Sequence, residues 1–353
     1  MFSEKPAPVF SACPLPITQR EDVLLGHGSG GKLTAQLIEE IILPAFRNPM
    51  LEALDDQAIL AVNGSRLAFT TDSYVVTPIF FPGGDIGELA VNGTVNDLAV
   101  GGATPLFLSL AFILEEGLPL ADFHRVVESA GRAAERAGVQ IVTGDTKVVG
   151  RGSGDKVFVN TSGIGVVPPG INLSSRRVQA GDTILLSGSI GDHGVAVLSQ
   201  REGLKFDGPL ESDTAALHEL VAAALKAFSG IHAMRDPTRG GVAATLVEIA
   251  SRQHLGMEVD EAAIPVRDTV RGACEILGLD PLLVANEGKL IAFVPEREGE
   301  RVLVAMRGHP LGRQACRIGH VTAEHPGLVL LRTPIGGARI LDLPFGEALP
   351  RIC

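Results

Sequence analysis

Residues 156–170 read Lys-Val-Phe-Val-Asn-Thr-Ser-Gly-Ile-Gly-Val-Val-Pro-Pro-Gly. β-Branched and aromatic residues are frequent over 156–167, which predicts a strand. Pro168, Pro169 and Gly170 then stop it, because proline has no ladder donor and glycine is free to turn. The break falls near the middle of a 353-residue chain, a length that favours two hydrophobic cores over one. The expected division is an N-terminal arm at 1–18, a first domain at 19–168, a second domain at 169–333 and a mobile tail at 334–353.

Upstream of the break, 67–71 and 74–76 read as strand with a polar interruption, 87–100 as helix and 105–112 as strand. The span 121–137 is a strongly amphipathic helix with Gly138 as its left-handed cap, followed by a strand at 139–142. Downstream, strands are predicted at 183–187, 257–260, 289–294 and 315–321, and helices at 195–200, 217–228, 241–252 and 270–277. No long series of parallel strand–helix–strand units appears. The expected class is therefore α+β, with mixed or antiparallel sheets packed against helices.

The chain carries a formal charge of −11, 45% hydrophobic residues, no Trp and one Tyr. It has no dense Lys/Arg run, which argues against nucleic acid or an anionic membrane surface as partner. The scarcity of large aromatics argues against a base-stacking platform. No leader pattern or bilayer-length apolar run is present, so a soluble cytoplasmic protein is expected. Cys13, Cys274, Cys316 and Cys353 are widely spaced, which disfavours a disulfide scaffold or a zinc knuckle.

Several motifs carry chemistry. Gly26-His27-Gly28-Ser29-Gly30-Gly31-Lys32 opens onto a predicted helix at 33–42. Bare glycines (Gly28, Gly30, Gly31) let backbone N–H groups approach phosphate oxygens, and Lys32 adds a full charge. Leu33 excludes a Walker A loop, and no clear strand precedes the turn as a dinucleotide fingerprint requires. Asp55, Asp56, Asp72, Asp97 and Asp145 lie beside predicted element ends. Each alone reads as a turn or cap residue; together, next to a phosphate loop, they point to a metal–nucleotide site. Asp236-Pro237-Thr238-Arg239-Gly240-Gly241 precedes a helix and can face an anion. Glu287, between Asn286 and Gly288, and Lys147, two residues after Asp145, are candidate acid–base groups. His27 and His193 sit in Gly-rich turns, where a structural or phosphate-contacting role is expected. Cys353 ends the tail Pro350-Arg351-Ile352-Cys353. Nothing follows it to hold it in a core, so by itself it reads as an exposed, unassigned thiol.

Taken in order, these motifs resemble the ATP-binding superfamily of aminoimidazole ribonucleotide synthetase, selenophosphate synthetase and thiamine-monophosphate kinase. The carrying residues are His-Gly-Ser-Gly-Gly-Lys at 27–32, Thr-Thr-Asp-Ser at 70–73, Asn-Asp-Leu-Ala-Val-Gly-Gly-Ala at 96–103, Thr-Gly-Asp-Thr-Lys at 143–147 and Asp-Pro-Thr-Arg-Gly-Gly at 236–241. The terminal Pro-Arg-Ile-Cys is similar to one family within it, the HypE carbamoyl dehydratases of [NiFe] hydrogenase maturation. The resemblance implies a two-domain synthetase-like fold whose first domain binds ATP and dimerises. It implies ATP and Mg²⁺, with Asp56, Asp72, Asp97 and Asp145 as metal ligands. Gly28, Gly30, Gly31, Lys32, Asp72, Asn96, Asp97, Asp145 and Asp236 would contact the nucleotide. It further implies a carbamoyl group delivered by HypF to Cys353, its ATP-dependent dehydration to a thiocyanate assisted by Lys147 and Glu287, and cyanide transfer to a HypC–HypD complex. A relative that phosphorylates a free small molecule, as a selenophosphate synthetase or thiamine-monophosphate kinase does, would need no terminal thiol. The first eighteen residues, with Cys13, add nothing to the motif; Ser11-Ala12-Cys13-Pro14 does not reproduce the reactive segment of the selenophosphate enzymes.

Overall fold

The computed structural model describes residues 22–343, apart from 205 and 207, together with 351–353. The N-terminal arm with Cys13, and residues 344–350 of the tail, lie outside the described residues.

Two sheets organise the chain. The first runs Ala58–Val62, Ser65–Tyr74, Val157–Val166, Thr104–Glu115, with Gln140–Thr143 and Thr146–Val149 both parallel to the last of these. Its opening hairpin turns at Asn63-Gly64, both at positive φ, the pairing that a tight hairpin with right-handed strand twist favours. One face is covered by helices Ile86–Val100 and Leu120–Ala137. These two cross closely at Gly87, where a Cβ would lie 2.2 Å from the Val126 carbonyl oxygen. The other face carries Phe69, Phe107, Ile113 and Ile164, all exposed.

The second sheet runs Ala233–Arg235, Ile291–Pro295, Asp182–Leu186, Cys316–Thr322, Gly256–Asp260, Val329–Arg332, Ala338–Leu341. Its pairs are antiparallel except Gly256–Asp260 with Val329–Arg332. Leu185, Ala292 and Val294 face a core shared with the first half, while Ile184, Leu186, Ile291 and Phe293 face a second core under helix Gly241–Gln253. Strands and helices thus form mixed sheets with helical layers, as an α+β chain requires.

The expected tail start at 334 is corrected by this topology. Ala338–Leu341 is an edge strand paired with Val329–Arg332, and Leu341 is buried in the second core. The two segments read as 67–71 and 74–76 form one strand, Ser65–Tyr74, because the polar Thr71 and Ser73 alternate outward rather than breaking it. The helix expected at 33–42 runs through Lys32–Leu37, a wide turn at Ile38–Ile42 and Leu43–Phe46.

Candidate active site

A cavity of about 360 Å³ lies between the two halves, within the size range of small-molecule sites. Strand Ser65–Tyr74 sends in Asp72 and Tyr74, and helix Ile86–Val100 sends in Gly93 and Asp97. The loop before helix Gly241–Gln253 supplies Asp236 and Arg239, and the turn before strand Ile291–Pro295 supplies Glu287. Gly30 and Thr34 close one end, and Cys353 lines the cavity as well.

Local packing explains several of these placements. Gly30 has φ +75, and a Cβ there would lie 2.8 Å from the Arg239 carbonyl oxygen. The Gly-rich turn and the Asp236–Gly241 loop therefore approach backbone to backbone. Gly93 lies inside a helix because a Cβ would sit 2.2 Å from the Tyr74 hydroxyl. That hydroxyl donates to Asp72 Oδ2 at 3.0 Å. Asp55 and Asp56 part company. Asp55 accepts from the Ser174 hydroxyl at 2.7 Å and from the Ser175 N–H at 3.0 Å. Asp56 turns instead toward Asp97 and Asp236, and one ligand oxygen from each of these three lies within 4.8 Å of the others.

The electrostatics are dominated by burial. Burial first, then the neighbouring Asp72, Asp236 and Asp56, pushes Asp97 well above the ordinary carboxyl range. Burial and Asp56 do the same to Asp236, opposed by Arg235. Asp56 rises to about 6, again chiefly through burial, with Arg235 opposing. Arg235 Nε approaches Asp56 Oδ2 to 2.6 Å, but off the line of a hydrogen bond, so both buried atoms lack a hydrogen-bond partner. Several carboxyls crowded in a dry space, one with an orphaned oxygen, are the donor set a hard divalent cation takes. The residues present therefore fit Mg²⁺, and the set is Asp56, Asp97 and Asp236, with Asp72 beside them on the cavity wall.

The terminal thiol is held here by its own tail. The Arg351 carbonyl accepts from the Thr77 N–H at 3.1 Å and from Arg201 Nη2 at 2.7 Å. Ile352 is only 2% exposed and belongs to the shared core. The sequence expectation of a thiol with nothing to hold it is corrected by these contacts: Ile352 supplies an apolar anchor one residue before the end. Burial and the nearby Glu287 push the Cys353 thiol well up, with Arg239 opposing. Burial, then Asp236, Asp213 and Asp72, raise Glu287, and a hydrogen bond with Cys353 works in the opposite sense. Thiol and carboxyl thus face each other, and Glu287 Oε1 is buried without a hydrogen-bond partner.

Not every predicted residue arrives. Gly28 accepts a hydrogen bond from Arg239, and Gly31 precedes helix Lys32–Leu37 as its cap. Lys32 pairs with Asp342 at 2.6 Å. Asn96 is spent on structure: its amide donates to the Ala215 and Glu287 carbonyls and its oxygen accepts from the Leu217 N–H. Asp145 and Lys147 do not line the cavity. They pair with each other at 2.7 Å, and their side chains are 63% and 69% exposed. Lys147 is in register with Ile113 on the uncovered face of the first sheet. Sequence reasoning missed Tyr74, Gly93 and Arg235. Gly93 was the visible signal, a glycine inside a predicted helix. Arg235 precedes the Asp236 motif directly.

Comparisons with known proteins identify the fold and the family. The family model for the AIR synthase related protein N-terminal domain matches residues 54–167, and that for its C-terminal domain matches 179–330. The carbamoyl dehydratase HypE of Azotobacter vinelandii is 57% identical over 327 residues, covering 93% of this chain and 96% of that protein. A crystal structure of a hydrogenase maturation protein HypE in complex with ATP is 51% identical, with a TM-score of 0.79, covering 94% of this chain and 100% of that one. A HypE chain from a HypE–HypF complex is 48% identical, with a TM-score of 0.83, covering 87% and 99%. No helix among the described residues is long and apolar enough to cross a membrane.

Proposed function

Because the chain belongs to the HypE family of carbamoyl dehydratases, which serve hydrogenase maturation, we propose that it converts an S-carbamoyl group on Cys353 to a thiocyanate. One observation supports this most: the thiol of Cys353 lines the acidic cavity and faces Glu287. ATP is the nucleotide, as in the ATP-bound relative.

The chemistry follows from the groups present. A carbamoyl group from carbamoyl phosphate is delivered by HypF, the partner in the complexed relative. An amide oxygen is a poor leaving group, so it first takes the terminal phosphoryl group of ATP while ADP departs. The amide nitrogen gives up one proton then and a second as the carbon–oxygen bond breaks. Phosphate leaves and a carbon–nitrogen triple bond remains on sulfur. Glu287, raised by burial, is a strong base once ionised and accepts a nitrogen proton. Arg239, which opposes the rise of the Cys353 thiol, steadies negative charge that develops at the sulfur. Asp56, Asp97 and Asp236 would hold Mg²⁺, which offsets triphosphate charge when bound. The thiocyanate would then be the cyano donor to iron on a HypC–HypD complex; delivery as cyanide takes two electrons from that acceptor complex and one proton, and returns the Cys353 thiol.

Lys147 and Asp145 fit this reading through a homodimer. The uncovered apolar face of the first sheet carries both them and Phe107, Ile113 and Ile164, a surface that a second copy would cover. The second copy would present its own Asp145 and Lys147 at the cavity.

Intact-mass measurement tests the reading. After incubation with HypF and carbamoyl phosphate, the chain should gain a carbamoyl group at Cys353. Adding ATP should remove the mass of one water. Retention of the carbamoyl mass with ATP bound would overturn it.

A further inference from the structure

His193 is buried in the first turn of helix Asp192–Glu202, far in sequence from the motifs that define the cavity. Its Nε2 lies 2.9 Å from the Ile352 carbonyl oxygen. Its Nδ1 lies 2.8 Å from the Ser212 hydroxyl. The ring packs edge-on against Phe81, with centroids 5.4 Å apart, so its plane is fixed.

The chemistry of the partners sets the tautomer. A carbonyl oxygen can only accept, so Nε2 must carry the proton. The Ser212 oxygen already accepts from the Thr214 N–H at 3.1 Å, leaving its own proton free to donate to Nδ1. The imidazole is therefore neutral, in keeping with burial, which lowers its affinity for a second proton. The next residue, Asp213, completes the chain of contacts. Its Oδ1 accepts from the Glu287 N–H at 3.1 Å and its Oδ2 from the Gly288 N–H at 3.3 Å. Lys289 locks the same carboxylate at 2.8 Å. One side of His193 thus holds the residue before the thiol. The other side holds the segment that fixes the backbone of Glu287.

We propose that His193 is a positioning residue that bridges the terminal tail to the Ser212–Asp213 segment, setting the Cys353 thiol opposite the Glu287 carboxyl. This rests on the proposed dehydration only for its catalytic consequence; the docking itself is tested separately. Recognition is through a backbone carbonyl, so the latch fixes the path of the tail rather than reading its side chains.

Two substitutions separate the two ring nitrogens. His193→Gln places an amide N–H near the Nε2 position and keeps the donor to Ile352. His193→Asn places a polar group near Nδ1 and loses that donor. A hydrogen bond is worth roughly a 2- to 10-fold change in a docking equilibrium. Maleimide labelling of Cys353, followed by mass spectrometry of the C-terminal peptide, should therefore rise about 2- to 10-fold in His193→Asn and stay near wild type in His193→Gln. From chains already carbamoylated, ATP-dependent loss of water should slow by a similar factor in His193→Asn alone, while loading by HypF, which takes the undocked thiol, is not slowed. Equal labelling in wild type and His193→Asn, or an equal defect in both variants, would overturn the latch. If the wild-type carbamoyl chain keeps its water, the dehydration reading fails while the labelling comparison still decides the docking. If His193→Asn does not fold, histidine-labelled wild type is compared by NMR with a chain lacking Ile352 and Cys353. The Nε2 proton should be protected from exchange in the first and exposed in the second; equal protection in both would overturn the proposal.

Discussion

Strand Asp182–Leu186 of the second sheet is buried at every position, whereas strand Val157–Val166 of the first alternates between buried and open. Asp182–Leu186 carries one isoleucine and two leucines, and Val157–Val166 carries three valines, one isoleucine and two glycines. The difference lies in what covers them. Among the described residues, helices pack against both faces of the second sheet and against one face of the first. A sheet clad on both sides is complete within one chain. A sheet with Phe69, Phe107, Ile113 and Ile164 in the open leaves an apolar face, the one proposed above to meet a second copy. The two halves also divide the candidate chemistry: Glu287 and Asp236 come from the clad half, while Asp145 and Lys147 stand on the open edge of the other.

The strongest way to break this contrast is to ask whether the open edge acts on its own cavity. Lys147→Ala should slow single-turnover dehydration about 10²–10⁴-fold, the usual reach of general acid–base help, without shifting the urea midpoint. Mixing Lys147→Ala chains with Cys353→Ala chains should restore part of the activity, because a hybrid dimer pairs one intact lysine with the other copy's intact thiol. No restoration would place Lys147 in its own chain's site. Next in size is Phe293→Ala in the clad sheet, expected to cost about 3–5 kcal/mol in urea unfolding, the range for a large core truncation. Mg²⁺ should raise the thermal midpoint by the equivalent of about 2.7 kcal/mol at a hundred times its dissociation constant; Asp236→Asn should remove that shift. Smallest is Phe107→Ala on the open face. Its effect on the unfolding of the isolated chain should stay within about 0.5 kcal/mol, while the dimer measured by sedimentation weakens. A Phe107→Ala loss as large as that of Phe293→Ala would mean the open face is not open.

Periodicity made the clad half readable. Gly241–Gln253 carries its buried Val242, Leu246, Ile249 and Ala250 at helical spacing, and Ile184–Leu186 is a short apolar run. What escaped was short or at an edge. Ala58–Val62 was passed over although Asn63-Gly64 marks its hairpin, and Ala338–Leu341 was taken into the tail because Gly336 and Gly337 precede it. The aspartates of the cavity were legible as a set, yet the sequence could not divide Asp55 from Asp56, since that depends on Ser174 and Ser175, more than a hundred residues on. The place of Lys147 was not legible either: its spacing from Asp145 suggested the cavity, whereas the strand Thr146–Val149 sets it, exposed, beside Ile113. The receptor for the tail left no pattern at all: Thr77, Arg201 and His193 bind backbone carbonyls, and any residue offers one.

Ile352 sets how long the arm stays home. Its side chain is the main apolar surface that undocking would return to water, a loss of about 1.5–3 kcal/mol. At roughly 1.4 kcal/mol per tenfold, that contact alone lowers the undocked fraction about 10- to 100-fold, and the hydrogen bonds from Thr77, Arg201 and His193 lower it further. Loading by a visiting transferase, as proposed above, would have to wait for one isoleucine to leave the core, and the same isoleucine would bring the thiol back.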